Sequence, residues 1–242
     1  MNSPAPQSRL KTRQQEWLVL ALLTALATIV YELWPELDLR VSSLFFAQGA
    51  FQGSQWAWPH WLYLGMPIVG GALSALALLT IAAALLGRRL GKKWVAPAHL
   101  RRAVFGLLVV VLGVGLLVHT GLKDNWGRAR PADVQTFGGS KTYNAPLRPA
   151  DQCARNCSFV SGHAAGGFAV MAIGMLGSRR SRWRWWSAGM VAGGLVGLAR
   201  MVEGRHFLGD IVFGGLLIWA VCLLLRDVWI RLALRQRRAI KR

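Results

Sequence analysis

The chain has 242 residues, 54% of them hydrophobic, and a mean hydropathy of +0.36, which excludes an ordinary soluble globule and points to a membrane protein. Its formal charge of +19 comes from 29 basic and 10 acidic residues. The basic residues fall in short clusters between apolar stretches rather than along one face, so they read as topology signals and argue against a nucleic-acid partner.

In chain order, residues 1–15 are polar, with Pro4, Pro6, Arg9, Lys11 and Arg13, and are expected to form an unordered cytoplasmic tail. Residues 17–34, bracketed by Trp17 and Trp34, are apolar over about the length that crosses a bilayer core of roughly 30 Å, and Pro35 ends them. No cleavage site follows this run, so it is expected to stay as an anchor. Residues 36–60 are mixed, and Trp56, Trp58 and Trp61 predict an interfacial segment with a short amphipathic helix. Residues 61–86 make a second span around Pro67, followed by a loop with Arg88, Arg89, Lys92, Lys93, Arg101 and Arg102. Residues 103–122 make a third, with His119 one turn before Lys123. A polar loop, 124–159, leads to a fourth span at 160–177, an arginine-rich turn, a fifth span at 185–201 and a sixth at 211–230. The fourth and fifth spans are short and rich in small residues. Gly162 with Gly166 and Gly193 with Gly197 have the four-residue spacing that lets helix backbones approach in lipid. Residues 231–242 form a basic tail.

The expected fold is therefore all-α: a polytopic bundle of six transmembrane helices forming one integral-membrane domain over residues 1–242. Six spans put both termini on one side, and that side carries twenty Lys and Arg residues against nine on the other. The positive-inside bias makes the termini cytoplasmic. The loops at 124–159 and 202–210 then face outward. There Cys153 and Cys157 would meet an oxidising compartment, which favours a disulfide over free thiols, while two cysteines alone make a zinc site a poor fit. Cys222 lies within the sixth span and reads as a buried apolar residue.

The outward side also holds the candidate chemistry. At Ser161, Gly162 and His163 a polar loop becomes a helix, and a helix start offers free N–H donors to an anion, although Ser-Gly-His is also an ordinary cap. Lys123, Arg128, Arg130 and Arg200 place positive charge against the topology bias; each alone is an interface anchor, but together they suit a phosphate. His206 and Asp210 are four residues apart, so a carboxylate can fix one imidazole nitrogen and leave the other free to attack, while His163 can protonate a leaving oxygen. His119, Arg128, Glu203 and Arg205 lie near enough to tune substrate choice or simply to pack.

Taken jointly, Lys123-DNWGRA-Arg130-Pro131, Val160-Ser161-Gly162-His163 and Ala199-Arg200-MVEGR-His206-FLG-Asp210 resemble the three-part signature of the type 2 phosphatidic acid phosphatase (PAP2) superfamily. The spacings match without a gap; Val160 and Ala199 stand where the family has proline and serine. The resemblance implies that Lys123, Arg130, Ser161, Gly162 and Arg200 bind phosphate. It further implies that His206 is the nucleophile of a phosphohistidine intermediate, Asp210 its orienting partner and His163 the general acid, with no metal or other cofactor. The implied function is hydrolysis of a membrane-lipid phosphate at the outer face of the bacterial inner membrane. The NCSFVSGH stretch is similar to the branch acting on lipid A phosphates. Undecaprenyl pyrophosphate or phosphatidylglycerol phosphate as substrate, and phosphotransfer to another lipid, use the same residues. A non-enzymatic anion carrier is the alternative of a different class, and the absence of a repeat argues against it.

Overall fold

The computed structural model describes residues 6–240, almost all of its regular structure helical. Helix α1 (Pro6–Leu33) stops two residues short of Pro35, which bars the residue before it from the helical region. A short helix, α2 (Leu37–Ser43), leads into a hairpin, β1 (Phe46–Ala47) and β2 (Ala50–Phe51), with Phe46 opposite Phe51. The hairpin turns on Gln48 at φ +53° and Gly49 at φ +76°, the left-handed pair that tight hairpins need. Helix α3 (Ala57–Arg89) runs through Pro67. Helix α4 (Pro97–Leu108) begins on Pro97, suited to a first turn, and continues over Val109–Lys123 as a wider π-helix that carries His119 and Lys123. After the loop come α5 (Gly162–Phe168), a single 3-10 turn, α6 (Ala172–Met175), α7 (Arg179–Val202) and α8 (Leu208–Ile240).

Four of these helices are long and apolar enough to cross a membrane: Arg13–Leu33, Ala57–Arg89, Pro97–Lys123 and Leu208–Gln236. The expected count of six is not reached. The expected fourth span is broken between α5 and α6, leaving a shorter apolar segment, Gly162–Met175. The expected fifth lies within α7, whose first turns carry Arg179, Arg180, Arg182 and Arg184 and dilute its hydropathy.

The expected tails also change. Residues 6–15 belong to α1 rather than an unordered tail; Arg13 pairs with Asp227 of α8 at 2.9 Å, and Trp17 Nε1 donates to the same carboxylate at 3.0 Å. Residues 231–240 continue α8, while residues 1–5 and 241–242 lie outside the described residues.

The core gathers α5, α6, α7 and α8 around Phe168, Met171, Ile211, Phe213 and Ile218. Small residues make this packing close, though not in the expected pairs. A Cβ on Gly167, not Gly166, would lie 2.7 Å from the Gly193 Cα, and one on Gly193 would strike the Phe168 ring at 2.3 Å. Gly197 instead takes the side chain of Ile211. The outer faces of α3, with Leu64, Ile68, Leu76 and Leu79 exposed, suit contact with lipid.

A second, smaller cluster sits at the site end. Phe51 of the hairpin, Val134 and Phe137 of the long loop and Phe207 before α8 bury one another, and the Phe51 and Phe137 rings are 5.2 Å apart. The hairpin thus holds the long loop against the start of α8.

Candidate active site

The loop after Lys123 is fixed to the protein by its own main chain. Cys157 N–H donates to the Lys123 carbonyl at 2.8 Å, Ser158 N–H to that of Arg128 at 2.9 Å, and Ser161 N–H to that of Asp210 at 3.1 Å. Cys153 and Cys157 are joined in a disulfide, with Cα atoms 5.6 Å apart. These bonds bring the three separated motifs to one end of the molecule.

Lys123 is buried, and its Nζ donates to the Cys157 carbonyl at 2.9 Å. Arg130 Nη2 donates to the Asn156 carbonyl at 2.9 Å. Among the described residues neither cation has a carboxylate as hydrogen-bond partner, so their charge remains available to an anion. Burial, followed by repulsion from Arg205, pushes the Arg130 guanidinium below its ordinary value. Arg200 forms an ion pair with Glu203, and its guanidinium carbon lies 4.6 Å from the Tyr63 ring centroid. Its buried Nε has no partner among the described residues.

Ser161 caps α5, its Oγ accepting from the Ala164 N–H at 3.4 Å, a long bond that an anion could exchange. Gly162 follows, and a Cβ there would meet the His119 ring at 2.9 Å and the Lys123 Cδ at 3.5 Å. Glycine lets the imidazole lie this close to the helix start, while the lysine stem is at ordinary contact distance. His163 packs against Tyr63, the rings tilted by 38° with centroids 4.9 Å apart, so one tyrosine of α3 touches both His163 and Arg200.

His206 is buried just before α8, with Nδ1 at an ion-pair distance of 3.5 Å from Asp210 Oδ2 and no hydrogen-bond partner among the described residues. Its imidazole is pushed down to about 4, first by burial and then by Lys123 and Arg130, against the pull of Asp210. Asp210 is fixed from several sides: it accepts from the Ser158 hydroxyl, from Phe207 N–H at 2.9 Å and from Arg128 Nη1 at 2.5 Å. With Nδ1 facing the carboxylate, Nε2 is the nitrogen left for chemistry.

Arg128, left open by the sequence between tuning substrate choice and packing, is a packing residue. It is wholly buried, bridges Asp210 and Asp38, donates Nε to the Asn144 carbonyl at 2.8 Å and lies 4.4 Å from the Phe207 ring centroid. All its donors face protein. Of the other candidates, Glu203 is engaged by Arg200, Arg205 is exposed and His119 lies against Gly162. Sequence reasoning did not single out Asp38, Tyr63 or Ser158. Ser158 lies within the motif stretch, but Asp38 and Tyr63 belong to no motif and only folding brings them near.

The arrangement offers free cations, a glycine-lined helix start, and a histidine oriented by a carboxylate. Among the described residues no cluster of three or more His, Cys, Asp or Glu side chains could hold a metal ion. Together these groups suit displacement at phosphorus, with the charge of the phosphate met by side-chain cations.

Comparisons with known proteins agree. A Lipid A 4'-phosphatase of Francisella tularensis subsp. novicida is 32% identical over 219 residues, covering 88% of this chain and 92% of its own. Lipid A 4'-phosphatases of Rhizobium etli and Rhizobium leguminosarum are each 31% identical, over 130 and 121 residues, or about half of each chain. No solved structure matches. Residues 103–232 match the PAP2 superfamily, and with that match over the residues that build the site, the chain belongs to the PAP2 superfamily and is a phosphatase.

Proposed function

We propose that the protein removes a phosphate group from lipid A, at the 4' position, through a phosphohistidine on His206. The observation that carries this is the pairing of His206 with an immobilised Asp210 beside Lys123 and Arg130, whose hydrogen-bond partners are main-chain carbonyls. The similarity to Lipid A 4'-phosphatases supports the substrate.

In the first step His206 Nε2 attacks phosphorus and the P–O bond to the lipid breaks. Lys123, Arg130, Arg200 and the Gly162 N–H neutralise the phosphoryl oxygens and Ser161 completes the cradle. Burial and the Arg200 and Lys123 charges push the His163 imidazole down to about 4 in the free protein. The bound phosphate offsets those charges, and His163 then gives its proton to the departing oxygen. Asp210 stabilises the positive charge that develops on the ring. In the second step water attacks the phosphohistidine, His163 takes its proton, the N–P bond breaks and inorganic phosphate leaves. The side chains supply the positive charge that a metal supplies elsewhere, so the reaction proceeds without one.

The active site lies on the periplasmic side of the inner membrane and both termini are cytoplasmic, in one domain that includes α5, α6 and α7. The bias of Lys and Arg along the chain and the Cys153–Cys157 disulfide support this orientation.

The test is phosphate release by the purified protein, with EDTA present, from lipid A, undecaprenyl pyrophosphate and phosphatidylglycerol phosphate. Mass spectrometry of the lipid A product should show loss of the 4'-phosphate. Activity abolished by EDTA, or an intact 4'-phosphate after turnover of another substrate, would overturn the proposal.

A further inference from the structure

Asp38 lies in α2, outside the residues that match the superfamily, and none of the three motifs includes it. Yet it is wholly buried and fully engaged. Its Oδ1 accepts from the Tyr31 hydroxyl of α1 and the Gly209 N–H of α8, both at 2.8 Å, and its Oδ2 accepts from Arg128 Nη2 at 2.6 Å. Arg128 in turn donates to Asp210, so an unbroken line of charged hydrogen bonds runs from α2 to the carboxylate that faces His206.

Burying three charges costs desolvation that their mutual attraction often does not offset, and an apolar trio of similar volume is commonly at least as stable. Stability alone is therefore a weak reason for this triad. What it does supply is placement. Arg128 is planar and holds one carboxylate on each side, so moving either carboxylate moves the other. Gly209 stands one residue before Asp210, and a Cβ there would lie 3.0 Å from Asp38 Oδ2. Asp38 thus grips the start of α8 both through Arg128 and directly.

We propose that Asp38 is a positioning residue for the phosphatase reaction, setting through Arg128 and Gly209 where Asp210 and hence His206 stand. This rests on His206 being the nucleophile. The charged and titratable groups facing Asp38 are Tyr31 from α1, Arg128 and Tyr143 from the long loop and Asp210 from α8. Those facing His206 are Lys123, Arg130 and Asp210.

The experiment measures kcat and KM across pH for the full-length protein in detergent, with Asp38→Asn, Asp38→Glu and His206→Ala. Asp38→Asn should lower kcat about tenfold with KM unchanged, as a misplaced catalytic group does. Loss of a negative charge should also move the acidic limb of the kcat profile down by about half a pH unit. Asp38→Glu should return the limb to the wild-type pH while kcat recovers only in part. A merely structural Asp38 would lower the melting temperature and leave kcat and the limb in place, and that result overturns the proposal. If Asp38→Asn does not accumulate, Tyr31→Phe removes one donor and keeps every charge; it should lower kcat about twofold to threefold, and an unchanged kcat overturns the proposal equally. His206→Ala separates the two ideas. If it stays active, the nucleophile assignment fails, whereas an inert His206→Ala beside a fully active Asp38→Asn removes only the role of Asp38.

Discussion

Two charged clusters stand at different places in the fold, and they are built on opposite plans. In one, Arg182 and Arg226 both bond to Glu16, Arg13 and Arg226 bond to Asp227, and Trp17 adds a donor to Asp227. Every cation there has a carboxylate, and the result ties α1 to α7 and α8. In the other, Lys123 and Arg130 are held by the carbonyls of Cys157 and Asn156. A carbonyl orients a cation without neutralising it. The first cluster is a staple, complete without a ligand, and the second keeps positive charge for something that arrives.

This difference is open to attack at several points. The largest effect is expected at His206: His206→Ala should cut phosphate release by about 10³-fold or more, as loss of a nucleophile does, while membrane insertion is unchanged. Lys123→Ala should lower kcat/KM by about 10²-fold, and Lys123→Arg should recover part of it. On the other cluster, Glu16→Gln leaves Arg182 without its carboxylate and Arg226 with Asp227 alone, and should lower stability by about 2 kcal/mol, read as a drop in melting temperature, with kcat unchanged. A loss of activity in the folded Glu16→Gln protein would break the contrast. Replacing Cys153 and Cys157 by serine opens the small loop whose Cys157 carbonyl holds Lys123 while its main-chain bonds remain, and kcat/KM should fall about tenfold.

The smallest effect is on pH. His206 is held down to about 4, below its ordinary 6.5, chiefly by burial. The unfolded chain takes up the proton first, so stability on this account is full above about pH 6.5, declines as the pH falls toward 4 and then levels. On the proposed mechanism His206 attacks in its neutral form, which persists over the same range, so the acidic limb of kcat should lie near pH 4 rather than near 6.5.

Much of the site was legible because its chemistry is written locally. The spacing of Lys123 to Arg130, the Ser161-Gly162-His163 junction and the interval from His206 to Asp210 each place reactive groups within a few residues of one another. Arg128 was left open between substrate and packing roles because no local pattern connects it to Asp38, 90 positions away. The membrane spans were legible where apolar residues ran unbroken. They were not where helix propensity and length diverged, as in the break between α5 and α6, or where arginines opened a helix as in α7. The hairpin was missed because its Gln48-Gly49 turn lacks the usual asparagine or aspartate before the glycine. The helical order of residues 6–15 was missed, and no local pattern connects Arg13 to Asp227.

The carbonyl grip on Lys123 and Arg130 has a consequence for how such a protein can diversify. Every amino acid carries a carbonyl, so Ala154 and Arg155 are free to drift without touching the anion-binding charge. Asn156 is less free, since its φ of +52° favours asparagine or glycine. Selection can therefore rewrite most of the disulfide-closed loop, and so the surface a new lipid meets, while the cations behind it keep their aim.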